Sequence, residues 1–364
     1  MKKNTKKVAC RLGKVGGEAV IEGIMMKAGD TCATACRDQD GNIKIHERKF
    51  VSIRKRKKFF NLPIIRGVVG FIESMILSFS VLNVSAEVMG GEELQKETKF
   101  ERWMKKHLGV GLFDVIMVIA AALGVLLSVF LFLYLPTLIA ELFSRAFPAR
   151  IGSAALAAIE GALKVLIFIL YMFLVSLMRD IRRVFEYHGA EHKLIACFES
   201  GEELTPENAK QYTRFHPRCG TSFMFVMILL GVILGFVIHL LFPNFKGIAY
   251  TALRLLLIPI VMGIGYEFIM FAGKHDNIIT RALSAPGLWM QRITTREPDE
   301  AELEVAIVAL KFALPEEFPD FDRNAYEKIV TSKERSRAEK EAKDDRGEDT
   351  PLQKDSGTTS EDAE

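Results

Sequence analysis

Cysteine is scarce in this chain, and what there is follows no framework. Five cysteines (Cys10, Cys32, Cys36, Cys197 and Cys219) are an odd number without scaffold spacing, so a small disulfide-stapled fold is excluded and reduced thiols facing a cytoplasm are expected. Net charge is scarce too: 48 Lys and Arg against 45 Asp and Glu leave +3, which singles out no polyanionic partner. The opening MKKNTKKVACRLGK lacks the apolar core of a secretory signal, so none is expected. No long internal repeat is present. The basic run at 54–58 has no aromatic platform beside it, so contact with anionic lipid headgroups is expected there and specific nucleic-acid binding is not.

Apolar residues are abundant and segregated. They make up 49% of the chain, against 26% charged, and fill its middle. A bilayer crossing needs about 20 consecutive apolar residues. Residues 115–140 carry no charge, 151–178 carry only Glu160 and Lys164, 222–242 only His239, and 248–272 only Arg254 and Glu267. The expected fold is therefore mainly α: a polytopic membrane helix bundle with a small N-terminal β-hairpin unit and a disordered C-terminal tail. Its partner is the lipid bilayer.

The segments follow in order. Residues 1–13 read as a basic tail. Residues 14–58 read as a cytoplasmic β-hairpin unit, because Asp40-Gly41 lies between alternating runs. Gly16, Gly17 and Gly23 are expected to interrupt any long element before it. Residues 59–110 read as an interfacial helix with a connector, since Arg66 and Glu73 interrupt the apolar stretch 62–89. Residues 111–272 hold the four spans and, at 179–221, a polar loop. Residues 273–330 form a helical region in which Pro298 suits a first turn and Leu303, Ile307 and Leu310 share a face. Residues 331–364 lack the apolar residues to fold. Lysine and arginine cluster at Arg102, Lys105, Lys106, Arg179, Arg182, Arg183, Lys274, Arg281 and Arg292. That bias predicts a multi-pass protein of the cell membrane with both termini and the polar loop cytoplasmic.

The chemistry collects in that loop. His188 and His192 are four apart, on one face of a helix, and Glu191 makes the run H-x-x-E-H, the inverted zinc-protease pattern in which the glutamate acts as base. His216 and Cys219 follow in HPRCGTS, and imidazole with thiolate is an ordinary Zn2+ donor set. Four ligands would close a tetrahedral site, whereas three, with Glu191 nearby, would leave a position for chemistry. Both remain open at this point. Gly189 weakens helix between the histidines. Glu267 in GIGYEF is placed to approach the loop or to pair with an arginine, Arg254 among them. Glu18 and Glu22, in the glycine-rich GGEAVIEG, are further candidates, with capping or exposure as the plainer roles. Glu160 and Lys164 share a helix face and read as an ion pair or as part of a transport path. Cys32 and Cys36 read as small strand residues.

GGEAVIEGIMMK, EYHGAEHK, HPRCGTSF and LWMQRITTREPDEAELEVAI together resemble the bacterial YqhQ-like family of membrane proteins, over about residues 15–314. The resemblance implies a metal-dependent enzyme, with His188, Glu191, His192, His216 and Cys219 in its motifs, and implies no substrate. The first expectation is a zinc-dependent hydrolase-like enzyme acting on a membrane peptide or a lipid-linked molecule. Its rivals are a scaffold with structural zinc and a transporter.

Overall fold

A computed structural model gives the architecture and describes residues 11–90, 112–147, 153–242, 247–272, 278–331 and 334. Residues 1–10 of the basic tail, the connector after residue 90 and, apart from Glu334, the tail beyond Thr331 lie outside the described residues. Among the described residues the chain is mainly helical with one small sheet. Strands β1 (Val15–Val20), β2 (Gly23–Ala28), β3 (Thr31–Arg37) and β4 (Ile43–Lys49) form an antiparallel meander. Then come α1 (Ile65–Gly90), α2 (Leu112–Val129, a π-turn at Phe130–Tyr134, and Leu135–Ala146) and α3 (Ser153–Val175). Next are α4 (Arg179–Ser200), α5 (Gly220–Leu241), α6 (Gly247–Ala272), α7 (Ile278–Thr294) and α8 (Glu300–Ala313). Last, β5 (Glu327–Lys328) adds to β4 in parallel.

The expected hairpin is β3–β4, turning through Asp38–Asn42, where Gly41 takes φ 87°. The glycines before it do not break the chain, contrary to the sequence expectation. Gly16 and Gly17 lie inside β1, where the ladder to β2 sets their conformation, and Gly23 opens β2, paired with Val20 of β1 and Cys36 of β3. The two strands turn at Glu22 with φ 49°, a left-handed conformation unusual for glutamate. The Arg183 guanidinium holds it there through two hydrogen bonds of 2.8 and 2.6 Å to the Glu22 carboxylate, which keep that group below the usual carboxylate range.

The sheet is buried on both faces. Ile24, Met26, Ala33, Ala35 and Ile45 pack against Tyr187, Ala190, Leu194 and Phe198 of α4 and the Leu303, Ala306 and Leu310 face of α8. Met25, Cys32 and Cys36, on the opposite face by the two-residue period of a strand, pack against Leu77 and Val81 of α1. Cys32 and Cys36 are thus small buried strand residues. α8 begins at Glu300, two residues after Pro298. Asp299 is its N-cap and forms a capping box with Glu302, so the proline precedes the helix.

Among the described residues, four helical stretches are long and apolar enough to cross a membrane: Ile65–Gly90, Val118–Ala146, Ala155–Val175 and Ile248–Phe268. The apolar stretch of α5 is shorter, Phe223–Ile238. α1 qualifies by length, yet its second half is committed to the sheet: Arg48 donates to Ser80, Ser78 to Glu18, and Gln39 to the Met89 carbonyl. Its first half packs on α6, with Gly67 against Gly263 and Tyr266. α5 and α6 run antiparallel, Met227 and Phe223 beside Gly265 at one end and Gly235 beside Arg254 at the other. The π-turn of α2 lies just before Pro136, whose ring and missing N–H disturb the preceding helical turn.

Candidate functional site

Residues 179–200 form one continuous helix and not a loop, and that helix carries the site. His188 and His192 sit one above the other on α4, ring centroids 4.4 Å apart. Each is anchored at the far nitrogen: His188 Nδ1 lies 2.8 Å from the Thr294 carbonyl and His192 Nδ1 2.6 Å from the Arg214 carbonyl. A carbonyl only accepts, so Nδ1 carries the proton in both rings and Nε2 is the free donor atom. A carbonyl or carboxylate on the far nitrogen does this same work for metal-binding histidines. His188 Nε2 lies 3.2 Å from Sγ of Cys219, the residue before α5. Among the described residues, His188, His192 and Cys219 are the group whose ligand atoms all lie within 4.8 Å of one another. Zinc bonds of about 2.0–2.1 Å to nitrogen and 2.3 Å to sulfur put tetrahedral N and S donors about 3.5 Å apart, so the donor types and the His188–Cys219 separation fit that ion.

His216 is not brought into the group. Its ring centroid is 5.4 Å from that of His192, and its Nε2 faces the Arg218 guanidinium at 3.4 Å. Arg218 is in turn held by Glu199 at 2.5 and 2.6 Å. Burial, with the neighbouring His192, Arg218 and His188, pushes the His216 imidazole down to about 3. The segment is clamped by Gln291, whose side chain accepts from the His216 N–H and donates to the His216 carbonyl, each at 2.8 Å.

Glu191 is buried beside His188, and β1 closes over it. It accepts from the Gly17 N–H, and a Cβ at Gly17 would stand 2.9 Å from its carboxyl carbon, so only glycine lets the strand come this close. Burial pushes the Glu191 carboxyl up to about 7, with the Glu18 charge adding and His188 and the Gly17 amide opposing. Glu18 accepts from Ser78 at 2.8 Å, and burial raises its own carboxyl as well. Glu22 is tied up with Arg183 and the Tyr187 hydroxyl. Glu267 does not reach the site: it pairs with Arg66 of α1. Arg254, its expected partner, pairs with Glu160, which also binds Lys164 at 3.1 Å.

The strap from Thr294 to Glu297 is the functional segment that site reasoning missed. It lies along α4. Arg296 N–H donates to the Phe185 carbonyl at 2.8 Å, and Glu297 pairs with Lys193 at 2.9 Å and with Arg214 at 3.4 Å. Gly189 makes this possible: a Cβ there would stand 1.9 Å from the Arg296 carbonyl oxygen. The glycine between the two histidines serves the strap and does not break the helix. Gly189→Ala would regain about 1 kcal/mol of helix propensity but must push backbone aside, so we expect a net loss of about 2 kcal/mol, read as a lower melting temperature in detergent. An unchanged melt would show that the strap yields freely.

The profile of a family described as protein of unknown function (DUF1385) matches residues 62–316. The uncharacterized protein YqhQ of Bacillus subtilis (strain 168) is 36% identical over 299 residues, which cover 80% of this chain and 89% of that protein. No solved structure matches the chain significantly.

Proposed function

The chain belongs to the DUF1385 family, and from that premise we propose a zinc-dependent, hydrolase-like membrane enzyme with its site at the cytoplasmic face. One observation carries this reading. Two imidazoles, each locked at Nδ1 by a backbone carbonyl, gather with one thiol, which His188 meets through Nε2, while the fourth candidate stands aside. That leaves three donors and a free position, the ligand count of catalytic zinc sites. When bound, zinc supplies Lewis acidity, lowering the pKa of a coordinated water to about 7 and polarising a carbonyl or phosphoryl oxygen. Glu191, its carboxylate oriented by the Gly17 N–H, would be the group to accept a proton there. α4 and the sheet bury this carboxyl. The apolar stretches of α2, α3 and α6, with the shorter one of α5, support placement in a membrane. The sheet, α4 and α8 pack together and so share one face, which the lysine and arginine bias makes the cytoplasmic face of the cell membrane, and a membrane peptide or lipid-linked molecule is the substrate class this placement allows.

A scaffold with structural zinc is the second reading, favoured by the His216 ring lying only 5.4 Å from that of His192. His216→Ala separates the two. An open site keeps about one zinc per chain by metal analysis, whereas a closed site loses most of it. A transporter built on Glu160, Lys164 and Glu267 has less support, because Glu267 belongs to a separate ion pair with Arg66.

A further inference from the structure

Between α2, α3, α5 and α6 lies a cavity of about 230 Å³, lined by apolar side chains such as Phe132, Leu133, Ile228 and Ile258 and by two cations, Lys164 and Arg254. Both cations are buried, each 7% exposed, and share one anion, Glu160. Glu160 Oε1 also accepts from Thr137 at 3.1 Å. Arg254 reaches the cluster across Gly235, where a Cβ would collide with the guanidinium, and its charge lies 4.2 Å from the Tyr250 ring. Its Nε is buried without a hydrogen-bond partner. Among the described residues of these helices the cluster therefore carries one positive charge more than its carboxylate cancels, at a depth about two helical turns inside the ends of α3 and α6. An uncancelled charge in hydrocarbon is costly and marks a functional site unless something neutralises it.

We propose that the cavity binds a long-chain carboxylate, whose head takes the surplus charge of Lys164 and Arg254 and whose chain lies along the apolar wall. A carboxylate carries a single negative charge and accepts bidentately from a guanidinium. A phosphate monoester, at about −1.5 to −2, overshoots the one charge to be matched. The chain follows the lining, which runs from Arg254 about two turns along α6 to Val261 through wholly apolar contacts. This site is separate from the metal cluster and does not depend on it.

The three charges make opposite predictions for their variants. Arg254→Met and Lys164→Met each leave a neutral ion pair with Glu160, so both variants should fold and bind the anion about tenfold or more weakly, the loss expected for one charge-assisted hydrogen bond. Glu160→Gln frees both cations and should strengthen binding. The probe is a diazirine-bearing palmitate cross-linked to the purified full-length protein in detergent and mapped by peptide mass spectrometry. Cross-links should fall on α3, α5 and α6, be competed by oleate and not by oleyl alcohol, fall in the two Met variants and rise in Glu160→Gln. Equal competition by the alcohol, or labelling unchanged in the variants that keep the wild-type melt, would overturn the proposal by showing apolar contact alone. Competition by lysophosphatidate but not oleate would overturn it in favour of a phosphate head.

Discussion

Glu191→Gln is expected to abolish turnover while sparing the fold and the metal. Glutamine keeps the shape that β1 closes over and still accepts the Gly17 N–H, so the packing at Gly17 survives. What it cannot do is take a proton. A positioned general base contributes about 10²–10⁴-fold, and that is the loss expected. The measurement incubates membranes from cells lacking the protein with purified wild type or variant and compares the products by mass spectrometry. Products made by wild type should be missing with Glu191→Gln, with zinc content and melting temperature unchanged. Equal product from the two proteins would remove Glu191 from the chemistry.

Loss of a metal donor should be as severe and should read out in affinity. His188→Ala, His192→Ala and Cys219→Ala would each leave two of the three proposed donors. Outer partners of metal ligands are worth about 10–100-fold in affinity, so losing a ligand itself should cost more than about 100-fold. The same loss appears as stability. A ligand present at about 100 times its Kd adds about 2.7 kcal/mol to the folded state. Chelation should therefore lower the melting temperature of wild type and leave the three variants where they already are. A wild-type melt indifferent to chelator would contradict metal-linked folding.

Much of the site was legible, because helical spacing is a local property. His188 and His192 lie four apart on α4, and their faces follow from the helix period alone. Asp40-Gly41 marked the β3–β4 turn for the same reason. Where local rules misled, a long-range contact had decided the matter. Gly16 and Gly17 read as breakers until β1 pairs with β2, and Gly23 until β2 pairs with β3; Gly189 read as a helix weakener until the Arg296 carbonyl is laid against it. His216 and Cys219 share a short motif, yet Arg218 and Gln291 hold His216 away while Cys219 goes to His188. The Thr294 and Arg214 carbonyls that orient the histidines carry no side-chain signal at all. Nothing in the spacing of Arg66 and Glu267 shows that α1 and α6 bring them together.

The central claim is a metal centre of two imidazoles and one thiolate with a position left free. Zinc K-edge X-ray absorption on the purified full-length protein tests it most directly. The expected spectrum shows one zinc per chain with two nitrogen neighbours at about 2.0–2.1 Å, one sulfur at about 2.3 Å and one exchangeable light atom. A spectrum with three imidazoles and one sulfur, unaffected by added small anions, or a protein that holds no zinc, would contradict it.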